Sequence, residues 1–254
     1  MIPSALYQSP VPLDPTLHRS LRMSVLSDYS IAAGMHAAVI TATEFGQAAF
    51  EFPILFVDTA DRSLGGADVL MAPVALMGLS QGENLHVQGT RWDARYIPAF
   101  VRRFPFLTAE LPGSATPGVL IEPSWSGFSQ TEGAPLFGDA GQPAPALQQA
   151  LQFLELFEAE ARRTRAFCAR VVELGLLKEM KADATLPGGE KLSVDGFQVV
   201  DEDKLRELPD AVVLELHRNG ILMLLQVHLL SLGNMRQLLD RKARRTSEAA
   251  AVTA

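Results

Sequence analysis

The sequence is poor in several features that mark common protein classes. Cys168 is the only cysteine among its 254 residues, so no disulfide can form within the chain. It lies in a helical pattern, which predicts a buried, inert thiol. Lysine and arginine number 22 against 29 aspartates and glutamates. The resulting net charge of −7 disfavours a general nucleic-acid binder, which would carry a basic excess, and we expect no nucleic-acid partner.

Long apolar runs are also missing. The most apolar stretch, residues 221–239, is interrupted by polar residues that include Gln226, His228 and Asn234. A membrane-spanning helix needs about 20 predominantly apolar residues. Residues 1–20 hold four prolines and lack the basic start and apolar run of a signal peptide. The sequence therefore predicts no membrane span, and we expect a cytoplasmic protein.

No complete catalytic or cofactor-binding motif is present. The five histidines form no His-x-His or His-Glu-x-x-His pair, and the glycine-rich stretches match neither phosphate-binding loop. We predict no cofactor and no metal site, and we favour a protein that is not an enzyme. The alternative is an enzyme whose site is assembled from distant residues, for which His86, His228 and Asp93 are the candidates.

The order of strand and helix patterns predicts an α+β fold. An antiparallel β-rich N-terminal half would pack on a helical C-terminal half that carries a late β-hairpin. Helical spacing of apolar residues makes 146–174 the strongest helix, and Gly175 follows it as a helix-ending glycine. The turn residues 187–190 lie between two short strand patterns and predict the late hairpin.

The domain prediction is one compact unit over residues 1–254. The main variant has two subdomains, a β-rich one at 31–138 and a mainly helical one at 145–241. Residues 242–254 are basic, then small and polar, and we expect a disordered tail there. The last helix is predicted as one element over residues 221–240.

Several shorter elements are predicted from local signals. Residues 42–52 have helical spacing and end at Pro53. Residues 80–83 have the composition of a hairpin turn. Asp201 is predicted to cap a short helix.

Residues 91–106, here called the arginine–aromatic segment, are the strongest candidate for a site. The segment holds four arginines and five aromatic rings in a protein with 7% aromatic residues. The spacing of Arg95, Ala99 and Arg102 predicts a short helix that places guanidinium groups beside rings. Arginine forks bind carboxylates and phosphates through two hydrogen bonds and stack on aromatic faces.

We therefore predict that an acidic ligand or partner binds through Trp92, Arg95, Tyr96, Arg102 and Arg103. The competing interpretation makes the rings part of the core and pairs the arginines with the protein's own carboxylates. A helical stripe along residues 146–174 is as compatible with self-association as with core packing, so a homo-oligomer stays open.

Several pieces of the chain resemble the bacterial SapC family. They occur in order along most of the chain and include Glu44-Phe45, Phe52-Pro53-Ile54, Pro73–Leu79, Gly82–Leu85, Arg95–Phe106, Arg163–Phe167, Leu186–Gly189, Val200–Glu202 and His228–Asn234. The resemblance supplies no catalytic residues.

The resemblance does imply a biological setting. Relatives are often associated with TonB-dependent uptake systems for sugars, alongside cupin-like hydroxylases and flavin-dependent halogenase-like proteins. This implies a cytoplasmic accessory or binding protein in uptake or in modification of a peptide or protein. Its partner would be a protein or peptide, such as the cupin-like hydroxylase or the halogenase-like protein. The alternatives are an enzyme acting on a sugar or peptide and a surface-layer component, which the family name suggests.

Overall fold

The structure is a computed structural model that describes residues 6–59, 70–111, 113, 116–185, 189 and 191–253. The strands in this part of the chain are β1 (Val11–Pro12), β2 (Arg22–Met23), β3 (Ala37–Val39), β4 (Ile54–Asp58), β5 (Met71–Leu76), β6 (Val87–Gln88), β7 (Arg91–Trp92), β8 (Phe106–Ala109), β9 (Gly118–Ile121), β10 (Phe128–Ser129), β11 (Ala134–Pro135), β12 (Leu177–Thr185) and β13 (Lys191–Val200). The α-helices are α1 (Phe45–Ala48), α2 (Ala99–Arg102), α3 (Pro145–Glu173), α4 (Glu202–Arg206), α5 (Asp210–Arg218), α6 (Ile221–Ser231) and α7 (Asn234–Thr253). Two short 3₁₀ helices lie at Ser30–Ala32 and Ala42–Glu44.

The main sheet has five antiparallel strands in the order β12-β13-β4-β5-β3. Its late hairpin, β12 with β13, joins the strands of the first half where Gln198 pairs with Phe56. Smaller antiparallel sheets are formed by β1-β9-β8, β10-β2-β11 and β6-β7. The α+β prediction, with antiparallel sheets first, helices later and a late hairpin, is confirmed. The division into subdomains stays a prediction.

The two faces of the main sheet carry different helices because side chains alternate along each strand. Ile54 and Phe56 lie in the cluster that includes Phe167 of α3 and Leu225 of α6. Leu55, between them in β4, lies in a second cluster that is completed by α7. A third cluster lies beneath β8 and β9, against the first turns of α3. The long α3 thus packs on both the main sheet and the smaller β1-β9-β8 sheet.

Local signals placed several helix ends correctly. Helix α3 differs from its predicted range by one residue at each end, and Gly175 beyond it has a φ of 65°, the left-handed conformation that glycine adopts at helix ends. The carboxylate of Asp201 accepts a hydrogen bond from the Asp203 amide at 3.2 Å, as the predicted cap of α4 should.

The end of the chain differs from its prediction in two ways. The helix expected over 221–240 is two helices, α6 and α7. Asn234 begins α7, and its side-chain Nδ2 donates to Ala49 O at 2.7 Å. Helix α7 then continues to Thr253, where we expected a disordered tail. At the start of this stretch, Arg245 donates to Asn84 O at 2.9 Å and to Val87 O at 2.6 Å.

Two short elements also differ from their predictions. Residues 80–83 do not join paired strands, because β5 pairs with β3 and β4 instead. The Glu83 carboxylate shapes this turn by accepting the amides of Leu79 at 3.1 Å and Ser80 at 3.0 Å. The helix expected over 42–52 is a 3₁₀ turn followed by the four residues of α1.

The close fit of Gly78 against Glu83 makes a stability prediction. A methyl group added at Gly78 would collide with the Glu83 carbonyl oxygen and lie 2.8 Å from Glu83 Cγ. We expect Gly78→Ala to lower the free energy of unfolding by about 2 kcal/mol, measured by urea denaturation. Gly46→Ala is the control, because no atom lies within 4 Å of its added methyl group and alanine favours the helix. Equal stability of the two variants would contradict this account of Gly78.

Candidate functional site

The arginine–aromatic segment is less helical than its sequence predicted. Arg91 and Trp92 form β7, and α2 covers only Ala99–Arg102. Arg95 therefore lies outside the helix. The reason is Pro98, which directly precedes α2 and has an extended ψ of 141°. Proline also disfavours helical geometry in the residue before it, so the helix cannot extend back to Arg95.

The buried carboxylate of Glu44 fixes the middle of this segment. Its Oε1 accepts hydrogen bonds from Tyr96 Oη and from the Ala99 amide, both at 2.8 Å. Its Oε2 accepts from the Thr41 amide at 2.7 Å and from Thr41 Oγ1 at 3.0 Å. Burial, followed by the neighbouring Glu44 charge, raises the pKa of Tyr96, so the phenol stays protonated and donates. Glu44 therefore connects the turn before α1 to the start of α2.

A second carboxylate holds the bend before α2. Glu51 Oε2 accepts the backbone amides of Arg95 at 2.7 Å and Tyr96 at 2.9 Å. Trp92 adds a third hydrogen bond to this bend, because its Nε1 donates to Tyr96 O at 2.9 Å. The backbone around Tyr96 is thus held from three sides.

Arg102 is exposed and lies between two rings. Its guanidinium carbon is 5.7 Å from the ring centre of Tyr96 and 5.2 Å from that of Phe153 in α3. Its Nε donates to Ile97 O at 2.9 Å, and Nη2 approaches Tyr96 Oη at 3.4 Å. These contacts orient the side chain while leaving donor capacity on the outer nitrogens.

Arg103 lies among three rings. Its guanidinium carbon is 4.1 Å from the ring centre of Phe100, 5.1 Å from that of Phe157 and 5.9 Å from that of Tyr7. Its Nε is buried and has no hydrogen-bond partner in the described residues. Tyr7 donates its own proton to Phe106 O at 2.7 Å, and burial raises its pKa to about 12. Three ring faces surround this cation, and the hydroxyl of Tyr7 also interacts with it.

Neither Arg102 nor Arg103 forms an ion pair within the part of the chain that the structure describes. This distinguishes them from Arg170 and Arg206, each of which pairs with two carboxylates. The interpretation in which both arginines pair with the protein's own acids is therefore not what the described residues show. The aromatic half of that interpretation fits Trp92, Phe104 and Phe106, which are buried.

The five predicted site residues occupy different surroundings. Tyr96, Arg102 and Arg103 lie along one stretch facing α3. Trp92 is 8% exposed and uses its only donor internally. The Arg95 side chain is exposed and, together with Tyr96, lines a shallow pocket of about 580 Å³ whose wall also includes Phe50, Glu51 and Gln237. A carboxylate at this second pocket makes it less suited to an anion than the Arg102–Arg103 stretch.

Sequence reasoning missed the rings that hold the two arginines. Tyr7 comes from the N-terminal segment, and Phe153 and Phe157 come from α3. A signal for the latter two was present, since residues four apart share one face of a helix. Tyr7 lies about ninety residues before the segment, and no local pattern indicates that contact.

The residues proposed for an assembled catalytic site have other partners. His86 is buried and packs on Phe52, with ring centres 4.6 Å apart, while His228 Nε2 accepts the Val200 amide at 3.1 Å. Asp93 forms an ion pair with Arg241 at 2.8 Å. Within the described residues, no group of three or more His, Cys, Asp or Glu side chains could hold a metal ion. No helix there is long and apolar enough to cross a membrane.

Comparison with known families gives one match. The model of the SapC family matches residues 13–238. The chain belongs to the SapC family. No curated protein and no solved structure matches it significantly.

The Glu44 carboxylate makes a second stability prediction. In Glu44→Ala, the Tyr96 hydroxyl and two backbone amides lose a buried acceptor. We expect the free energy of unfolding to fall by about 3 kcal/mol in chemical denaturation. Glu155→Ala, which removes an exposed carboxylate from α3, is the control. A Glu44→Ala protein as stable as this control would show that the carboxylate does not hold the segment.

Two buried histidines make the protein sensitive to acid. Burial, with a further effect from Arg241, lowers the pKa of His86 from 6.5 to about 3, and burial lowers that of His228 to about 4. Both imidazoles stay neutral in the folded state but take up protons when the chain unfolds below pH 6.5. Their contribution to stability is therefore complete above that pH and is lost as the pH falls towards the folded-state values.

His86→Leu tests this pH dependence. Both ring nitrogens of His86 lack hydrogen-bond partners in the described residues, so leucine should be tolerated at neutral pH. Denaturation between about pH 6 and pH 4 should show a slope shallower by about 1.4 kcal/mol per pH unit. Gln152→Ala, which changes an exposed residue that does not titrate, should leave the slope unchanged. A His86→Leu protein with the parent's slope would contradict a neutral, buried His86.

Proposed function

We propose that this SapC family protein binds an acidic ligand, or an acidic surface of a protein or peptide partner, through Arg102 and Arg103. The supporting observation is that both guanidinium groups lie on aromatic faces and neither pairs with a carboxylate of the described chain. The protein has 29 acidic residues for 22 basic ones, so a shortage of acids does not explain this. A carboxylate can therefore approach cations that are already oriented.

The two arginines have complementary roles in this proposal. Arg103 is fixed among three rings and offers its outer nitrogens as a rigid fork. Arg102 is more exposed, and Tyr96 and Ile97 O set its direction. Phe153 and Phe157 are four residues apart, about 6 Å along the axis of α3, and one guanidinium group lies against each ring. That spacing suits neighbouring carboxylates on an extended acidic peptide, or one multivalent anion bridged by both forks.

The setting we propose is an accessory role in the cytoplasm, within a TonB-linked uptake system or a peptide- or protein-modification system. This setting rests on the family resemblance. The proposal that the partner is a cupin-like hydroxylase or a halogenase-like protein rests on it as well. An uncharacterised enzyme and a surface-layer component are the other candidates from the sequence. Binding at Arg102 and Arg103 is preferred to these alternatives because it alone is supported by a specific arrangement of side chains.

A labelled hexaglutamate peptide tests the binding proposal by fluorescence anisotropy. We expect Arg103→Ala and Arg102→Ala each to weaken binding about tenfold or more, because each removes a charge-assisted pair of hydrogen bonds. Arg103→Lys should not restore affinity, since lysine lacks the planar fork that stacks on the rings. Tyr96→Phe should weaken binding less, through loss of the contact that orients Arg102. Added salt should weaken all the remaining binding.

Arg206→Ala is the charge-matched control, because Arg206 is exposed and already pairs with Glu202 and Asp203. If the Arg102 and Arg103 variants bind the peptide as well as this control does, the proposed site is wrong. Circular dichroism of each variant separates a lost contact from a lost fold.

A further inference from the structure

A second cavity lies between α3 and the sheet edge formed by β3 and β5. It has a volume of about 290 Å³, and apolar side chains such as Val39, Met71 and Phe157 form most of its wall. Among the described residues that line it, Arg165 alone is charged. This cavity is distinct from the Arg102–Arg103 stretch, although Phe157 contributes to both.

The threonine hydroxyls in the cavity wall already have hydrogen-bond partners. Thr164 Oγ1 donates to Glu160 O at 2.7 Å and accepts the Ala42 amide at 2.9 Å. Thr41 Oγ1 lies 3.0 Å from the Glu44 carboxylate and donates to it. Burial raises the pKa of the Cys168 thiol to about 12, which keeps it neutral. The interior therefore favours an apolar guest over a polar one.

Arg165 supplies the one polar feature that is not satisfied. It is exposed, and its guanidinium forms no hydrogen bond or ion pair with the residues that the structure describes. A guest with an apolar body inside the cavity could thus present an anionic group to Arg165. Carboxylates match the guanidinium fork through two parallel hydrogen bonds.

The volume limits the size of the guest. A cavity of about 150 Å³ holds benzene, which has six carbons. A cavity of about 290 Å³ therefore has room for roughly a dozen carbon atoms.

We propose that this cavity binds a medium-chain carboxylate, with its alkyl chain against α3 and the β3–β5 edge and its carboxylate on Arg165. The inference stands independently of the proposed function at Arg102 and Arg103, because it uses another cation and another cavity.

Isothermal titration calorimetry with hexanoate, octanoate and decanoate tests the proposal, at concentrations below micelle formation. Each buried methylene should strengthen binding about fourfold until the cavity is full. Octanol should bind more weakly than octanoate, because it lacks the carboxylate. An affinity that does not rise with chain length would overturn the proposal.

Two matched pairs of variants locate the binding. Ala169 is an exposed residue of α3 that lines the cavity, so Ala169→Phe should block octanoate while the fold is kept. Ala166→Phe, also exposed in α3 but not part of the lining, should bind normally. Arg165→Gln should weaken octanoate about fivefold and leave octanol unchanged, whereas Arg162→Gln should change neither. Octanoate binding that survives both Ala169→Phe and Arg165→Gln would place the ligand elsewhere and refute the assignment.

Arg103→Ala separates this inference from the binding of acidic peptides. We expect it to leave octanoate binding unchanged, and Ala169→Phe to leave hexaglutamate binding unchanged. Loss of octanoate binding in Arg103→Ala would show that the carboxylate binds at Arg103 rather than Arg165.

Discussion

The Glu44 carboxylate is the interaction on which the arrangement of the candidate site depends. It is 6% exposed and has no cationic partner in the described structure, yet it accepts four hydrogen bonds from Thr41, Tyr96 and Ala99. A buried charge is tolerated only where donors replace the water that it has lost. Because these donors belong to two distant pieces of chain, satisfying the carboxylate also fixes where α2 begins. The directions of the two arginines at the end of that helix follow from this anchor.

Other carboxylates also accept backbone amides, as Glu44 does. This explains how a protein rich in acidic residues can have arginines without carboxylate partners. Glu51, Glu83 and Glu122 each accept two or more backbone amides from a neighbouring turn or loop. Carboxylates engaged in shaping the backbone are less available to neutralise arginines. Arg102 and Arg103 are instead held by aromatic faces, which attract a guanidinium group without occupying all its donors. A ring face therefore positions these cations while leaving their charge available to a partner.

Whether a feature could be predicted from the sequence depends on how far apart in the chain the residues that determine it lie. The fold class, the long α3 helix and the Asp201 cap follow from spacing and capping within a few residues, and the structure confirms them. The ring partners of Arg103 could not be read in this way, because Tyr7 and Phe157 approach it only after the chain has folded. No local pattern indicated the role of Glu44, because its contacts with the segment are to residues about fifty positions away. The basic, then small and polar composition of residues 242–254 predicted a disordered tail, but composition does not show that Lys242 and Arg245 meet a carboxylate and backbone carbonyls of distant residues.

Phe157 belongs to both of the places in the structure on which the proposals rest. Its ring lies 5.1 Å from the Arg103 guanidinium and also forms part of the wall of the apolar cavity beside α3. Cation–ring attraction depends on the position of the ring, and packing in an apolar cavity fixes that position. The two proposed sites therefore use different cations but share one side chain, and the apolar packing that lines the cavity also keeps the Phe157 ring against Arg103.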